Sequence, residues 1–197
     1  MYYSEIYSFC FLANQKCAST SISRAIANHC TIRPSSHGVK NHTNMREAER
    51  IIAEHGHDPR KVVFFTTIRN PWQRVVSFYE FIKVTESRNQ FWKMIGESKP
   101  DFRTFIVDER VQSRLVDLSL EAFSKSSLGI EVKVFNMEAI ESSIKPFLSN
   151  LGLIVSRFER ARDLGGSTRY RDYYDSQTIG VIGSIFREDI RQGKYVF

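Results

Sequence analysis

Two short stretches of the 197-residue chain carry residues whose types and spacing could do chemistry. The first is Asn14-Gln15-Lys16-Cys17-Ala18-Ser19-Thr20-Ser21. A lysine and three consecutive hydroxyl residues ahead of a helix make an anion site. Free backbone N–H groups and the positive end of the helix dipole attract negative charge there. Ser19, Thr20 and Ser21 add hydroxyl donors, and Lys16 adds a mobile cation able to follow charge onto a leaving oxygen. The segment is not a Walker A loop, which needs G-x-x-x-x-G-K-[ST]. The first glycine is Gly38, and two residues separate Lys16 from the hydroxyl cluster. Taken alone, a helix N-cap rich in Ser and Thr would look the same.

The second stretch is Arg69-Asn70-Pro71-Trp72-Gln73-Arg74-Val75-Val76-Ser77-Phe78-Tyr79. Arg69 falls at the end of a predicted strand. Ser77 follows eight residues later, about two helical turns on. The pair could reach one phosphate if the chain turns back over it, and a plain strand–turn–helix with a surface arginine fits the residues equally well. Histidine is the side chain most often used as a general base. The histidines are His29, His37, His42, His55 and His57. His42 and His37 lie in the loop before a charged helix. His29, His55 and His57 lie at helix ends and read as structural or surface residues.

The elements that must position these groups follow from hydrophobic periodicity. Ile6–Leu12 reads as a buried strand, and a helix should begin near Ser19 or Thr20 and run to Asn28. Residues 31–44 are loop, and Met45–His55 is an amphipathic helix ending at Gly56. Lys61–Ile68 is nearly continuous in apolar residues, the mark of a strand buried on both faces of a parallel sheet. Pro71 suits the first position of the next helix. Residues 89–123 read as helices with loops, Val132–Phe135 as a strand and Met137–Leu151 as a helix. Leu153–Ser156 is the last predicted strand, residues 163–169 are loop, and Ser176–Gln192 is a terminal helix. Alternating strands and helices imply an α/β layer fold. Ligands in such sheets bind outside the carboxyl ends of the strands, where both stretches lie.

Together the two stretches resemble those of the PAPS-dependent sulfotransferases (PAPS is 3'-phosphoadenosine-5'-phosphosulfate). Lys16 with the cluster through Ser21 is similar to the family's 5'-phosphosulfate loop. Arg69 and Ser77, with Asn70-Pro71 between them, are similar to its 3'-phosphate motif, in the form used by the carbohydrate-type branch. Phe135–Gly152 and Tyr170–Asp175 with Glu188-Asp189 extend the likeness. The resemblance implies a P-loop NTPase-like central parallel sheet flanked by helices, as one domain over residues 1–197. It implies a sulfuryl transfer from PAPS to an acceptor hydroxyl, here a carbohydrate or glycan. The product is adenosine 3',5'-bisphosphate, and no metal is required. Lys16 and His42 become the catalytic candidates, His42 as the general base for the acceptor hydroxyl because it lies where related members of the family keep a catalytic histidine, with His37 second. Lys16, Cys17, Ala18, Ser19, Thr20, Ser21, Arg69 and Ser77 become the donor-binding set, with Ser167 and Arg169 as additional candidates. Gln15 stands where the family commonly has proline, and Gly165-Gly166 stands where it has a polar pair.

Composition is compatible with that reading. The net charge is +6, and apolar residues make up 42% of the chain. Positive charge favours anionic ligands, and Arg157, Arg160, Arg162, Arg169 and Arg171 suit discrete phosphate contacts. Arg88, Lys93, Lys99, Arg103, Arg110 and Arg114 would favour an acidic acceptor such as an acidic glycan, and solvated helix faces explain the same residues equally well. No nucleic-acid motif is present. No apolar run approaches the roughly 18 residues of a membrane span. Three cysteines, Cys10, Cys17 and Cys30, form no disulfide framework and point to a reducing compartment. A full-length chain would therefore be cytoplasmic, while a longer membrane-anchored parent is also compatible. Two other classes share these features. A P-loop nucleotide kinase would need ATP and magnesium, and a non-catalytic module binding nucleotide or sulfated glycan would need neither Lys16 nor His42.

Overall fold

A computed structural model describes residues 1–34, 39–85, 89–159 and 169–197. The chain divides into two compact units. One comprises Met1–Ile68 and Leu120–Ala161, the other Arg69–Ser119 and Arg162–Phe197.

The first unit is built on a four-stranded sheet in the order β1 (Tyr2–Ser4), β2 (Phe9–Leu12), β3 (Val63–Ile68), β4 (Val132–Asn136). β2, β3 and β4 are parallel, as the apolar runs predict, with Leu12 opposite Thr66 and Ile68 opposite Asn136. β1 pairs antiparallel with β2, so the sheet is mixed rather than wholly parallel. The predicted strand from Ile6 is correspondingly shorter. Glu5–Ser8 form the connecting turn, with the Ser8 amide donating to the Glu5 carbonyl, and Ile6 is 84% exposed.

Alternation along the strands explains why both faces are covered. Cys10, Leu12 and Phe64 face α2 (Met45–Glu54) and Phe123 of α7 (Leu120–Phe123). Phe9, Phe11 and Phe65 face α1 (Ser19–Ile26) and α8 (Ile140–Asn150). β2 and β3 therefore bury two side-chain rows, which is why their sequences show no polar alternation.

Leu153–Ser156 does not form the predicted strand. α8 ends in a Schellman turn: Gly152 has φ +88°, its amide donates to the Ser149 carbonyl, and the Leu153 amide donates to that of Leu148. The chain then continues as coil, with Leu153 and Val155 buried and Ile154 exposed. An apolar alternation produced by packing coil onto the core mimics a strand.

The second unit is helical. α3 (Pro71–Val84), α4 (Gln90–Ser98), α5 (Phe102–Val107), α6 (Glu109–Val116), α9 (Ser176–Ile185) and α10 (Arg187–Gly193) surround an aromatic core. α9 and α10 replace the single predicted terminal helix, because the chain leaves helical geometry at Phe186, whose ring is 1% exposed.

Candidate active site

The first anion loop leaves the carboxyl end of β2. Lys16 has φ +60° and Ala18 has φ +58°, while Cys17 between them has no positive φ. Alternating signs of φ turn successive N–H groups toward one side, the geometry of an anion-binding nest. Left-handed geometry costs roughly 1–2 kcal/mol per L-residue, so this conformation requires support from its surroundings. β3 supplies it. The Thr67 hydroxyl donates to the Cys17 carbonyl at 2.6 Å, and the Thr66 hydroxyl donates to the Leu12 carbonyl at 2.7 Å. Both threonines are wholly buried. The Gln15 amide donates to Asn14 Oδ1 at 2.9 Å, closing the start of the loop.

α1 then begins at Ser19 with Ala18 as its N-cap, and no side chain caps it. Most helices satisfy the first turn with a Ser, Thr, Asp or Asn oxygen. Here Ala18 brings none; the Ser21 and Ile22 amides donate to the Ala18 carbonyl at 3.1 and 3.3 Å, and the positive end of the helix dipole favours negative charge at this start. Ser19 and Ser21 are buried, Thr20 is exposed, and Lys16 is half-buried.

His42 belongs to the same hydrogen-bonded group. Its Nδ1 lies 2.6 Å from the Ala13 carbonyl oxygen, three residues before Lys16. A carbonyl only accepts, so Nδ1 carries the proton and a neutral ring keeps its lone pair on Nε2. The loop that holds His42 is itself pinned, with the Thr43 hydroxyl donating to Lys40 at 2.7 Å and Asn44 capping α2 through the Glu47 amide. The other described histidines serve local structure. His55 Nδ1 lies 2.8 Å from the Ile51 carbonyl, His57 stacks on Tyr3 near Glu5, and His29 meets Tyr7 edge-on. His37 lies outside the described residues.

The second stretch belongs to the helical unit. β3 ends at Ile68 and the chain passes directly to Arg69, which is 7% exposed. Arg69 is engaged by its surroundings; among the described residues its Nε meets no hydrogen-bond acceptor. Asn70 caps α3, its Oδ1 accepting from the Trp72 and Gln73 amides at 3.1 and 3.3 Å. Pro71 takes the first helical position, as expected. Ser77 is half-buried on α3. Arg74, which the resemblance includes in the motif, pairs with Asp189 at 3.3 Å, both side chains being at most 2% exposed.

Arg169 is 84% exposed and donates through Nε to Asp172 at 2.8 Å. Ser167, Arg160 and Arg162 lie outside the described residues. Arg171 covers the rings of Tyr170 and Phe197. Several of the basic residues expected to meet an acidic acceptor have local partners. Arg103 pairs with Asp175, Arg110 with Asp108, and Arg114 lies over Phe91. Arg88 lies outside the described residues. Burial pushes the thiols of Cys10 and Cys30 up to about 12, which keeps them protonated and inert at neutral pH. Among the described residues no helix is long and apolar enough to cross a membrane.

Thr66 and Thr67 are the functional residues that sequence reasoning assigns only to a strand. Two adjacent hydroxyls near the end of an otherwise apolar run are the available signal, a weak one because threonine is also a common strand residue.

The model of the sulfotransferase family matches residues 1–142, from β1 into the first turn of α8. No curated protein and no solved structure gives a match.

Proposed function

We propose that this chain, which belongs to the sulfotransferase family, moves a sulfuryl group from PAPS to a hydroxyl of a carbohydrate acceptor. Sulfuryl transfer is the chemistry of the family. The donor PAPS supplies an activated sulfuryl group whose in-line displacement leaves adenosine 3',5'-bisphosphate. The residues of the first loop fit an anionic donor. Their nest, the uncapped start of α1 and the Lys16 ammonium are all complementary to charge that grows on a leaving oxygen. Ser19, Thr20 and Ser21 add hydroxyl donors to the same anion. Arg69 and Ser77 hold the 3'-phosphate, with Ser167 and Arg169 as secondary members of that set. His42 receives the acceptor's proton at Nε2, oriented by its Nδ1 bond to Ala13. The sulfotransferase domain of this reading spans residues 1–197.

The observation that carries the proposal is the left-handed backbone at Lys16 and Ala18, secured by Thr67 and leading into a helix with no side-chain cap. A helix start that served only structure would gain about 1 kcal/mol from a capping residue at Ala18 and would not need strained backbone before it.

Thermal-shift measurement separates this reading from a nucleotide kinase. A ligand at 100 times its dissociation constant adds about 2.7 kcal/mol of stability. Adenosine 3',5'-bisphosphate is expected to raise the melting temperature while ATP with magnesium leaves it unchanged. The opposite pattern would overturn the assignment.

A further inference from the structure

Residues 170–197 lie beyond the stretch matched by the family, yet they hold the first turns of α3 from several sides. Asn70 Nδ2 donates to the Val196 carbonyl at 3.2 Å. The Trp72 indole N–H donates to the Ile179 carbonyl at 3.2 Å, and the Trp72 carbonyl accepts from the Tyr174 hydroxyl at 2.9 Å. The Trp72 ring meets Phe197 edge-on at 5.5 Å. Phe197 is in turn enclosed by Tyr170 and Tyr174 at 5.7 and 5.5 Å. Two residues further along the helix, Arg74 forms its buried pair with Asp189 and lies over the Phe186 ring at 5.3 Å.

These contacts converge on residues 70, 72 and 74, between Arg69 and Ser77. A buried ion pair is a poor source of net stability, because desolvation offsets much of the attraction, but it fixes geometry strictly. Geometry matters more here than at the first loop. The Trp72 and Gln73 amides already donate to Asn70, so a phosphate grip on this turn would rest on the side chains of Arg69 and Ser77. Their directions follow the roll and tilt of α3. We infer that the segment 170–197, through Phe197 on Trp72 and Asp189 on Arg74, is the positioning element for the 3'-phosphate grip. This inference rests on the assignment of Arg69 and Ser77 made under the proposed function.

The test compares dissociation constants of adenosine 3',5'-bisphosphate and adenosine 5'-monophosphate, which lacks the 3'-phosphate. Wild type, Phe197→Ala, Arg69→Ala and the double variant are measured by calorimetry, with thermal melts to confirm folding. Phe197→Ala is expected to weaken the bisphosphate about tenfold and to leave the monophosphate unchanged. In the Arg69→Ala background it should add nothing. An unchanged bisphosphate affinity, or an equal loss for both ligands, would overturn the positioning role. If Phe197→Ala does not fold, Phe197→Leu keeps an apolar plug and is read by the same criteria. A wild type that fails to distinguish the two ligands would instead overturn the 3'-phosphate assignment itself, before any variant is considered.

Discussion

The loops that follow β2 and β3 are both strand–turn–helix connections, yet they prepare for an anion in opposite ways. After β2 the backbone does the work: φ turns positive at Lys16 and Ala18, and α1 starts with no side-chain cap. After β3 the helix start is closed by Asn70, so side chains must act in place of amides. The difference matters chemically. Backbone N–H groups fixed by strain and by Thr67 cannot reorganise, which suits a site where charge develops during reaction. Side chains such as Arg69 suit a phosphate whose charge is the same before and after transfer. The loop after β2 is therefore where rate should be controlled, and the turn after β3 where affinity should be controlled.

Substitutions can break this division. The largest effects are expected on turnover. Lys16→Ala should lower kcat by about 100- to 1000-fold, the range for losing one preorganised stabilising group. His42→Ala should lower it by about 100-fold or more, with the affinity for adenosine 3',5'-bisphosphate unchanged. Steady-state rates of sulfate transfer from PAPS, paired with calorimetry, check both. A variant that lost affinity rather than rate at His42 would place that residue in the donor site.

Arg69→Ala comes next. It should weaken adenosine 3',5'-bisphosphate by about 10- to 100-fold, the value of a charge-assisted hydrogen bond, while kcat at saturating donor changes little. Calorimetry and the split between KM and kcat test this. Equal losses in KM and kcat would dissolve the distinction between the two loops.

Thr67→Val is a smaller perturbation. It removes the buried hydrogen bond to the Cys17 carbonyl and should cost about 1–3 kcal/mol of stability, measured by denaturant unfolding. If the tether holds the nest, the variant also binds donor more weakly at temperatures where it is fully folded.

Much of this arrangement is legible in the residues. Hydroxyls and a lysine before an apolar helical pattern mark the first loop, and Asn70-Pro71 marks the start of α3. The parallel core of the sheet is legible because strands buried on both faces cannot hide their composition. Conformation is less legible. Left-handed φ at Lys16 and Ala18 carries no signal, since neither residue favours it, and it follows from a tether 50 residues away in sequence. β1 is three residues long, too short for periodicity to register. The role of Arg74 shows the same limit. The sequence assigns it no role, and only the packing of Asp189 and Phe186 reveals a buried structural cation.

The most direct measurement of the central claim is titration of adenosine 3',5'-bisphosphate into wild type, Ala18→Gly and Ala18→Asp. Glycine adopts the left-handed conformation without strain and should keep the affinity. Aspartate places a carboxylate where the anion is held and should weaken binding about tenfold or more. Binding by Ala18→Asp as tight as wild type would contradict a backbone cradle at the start of α1.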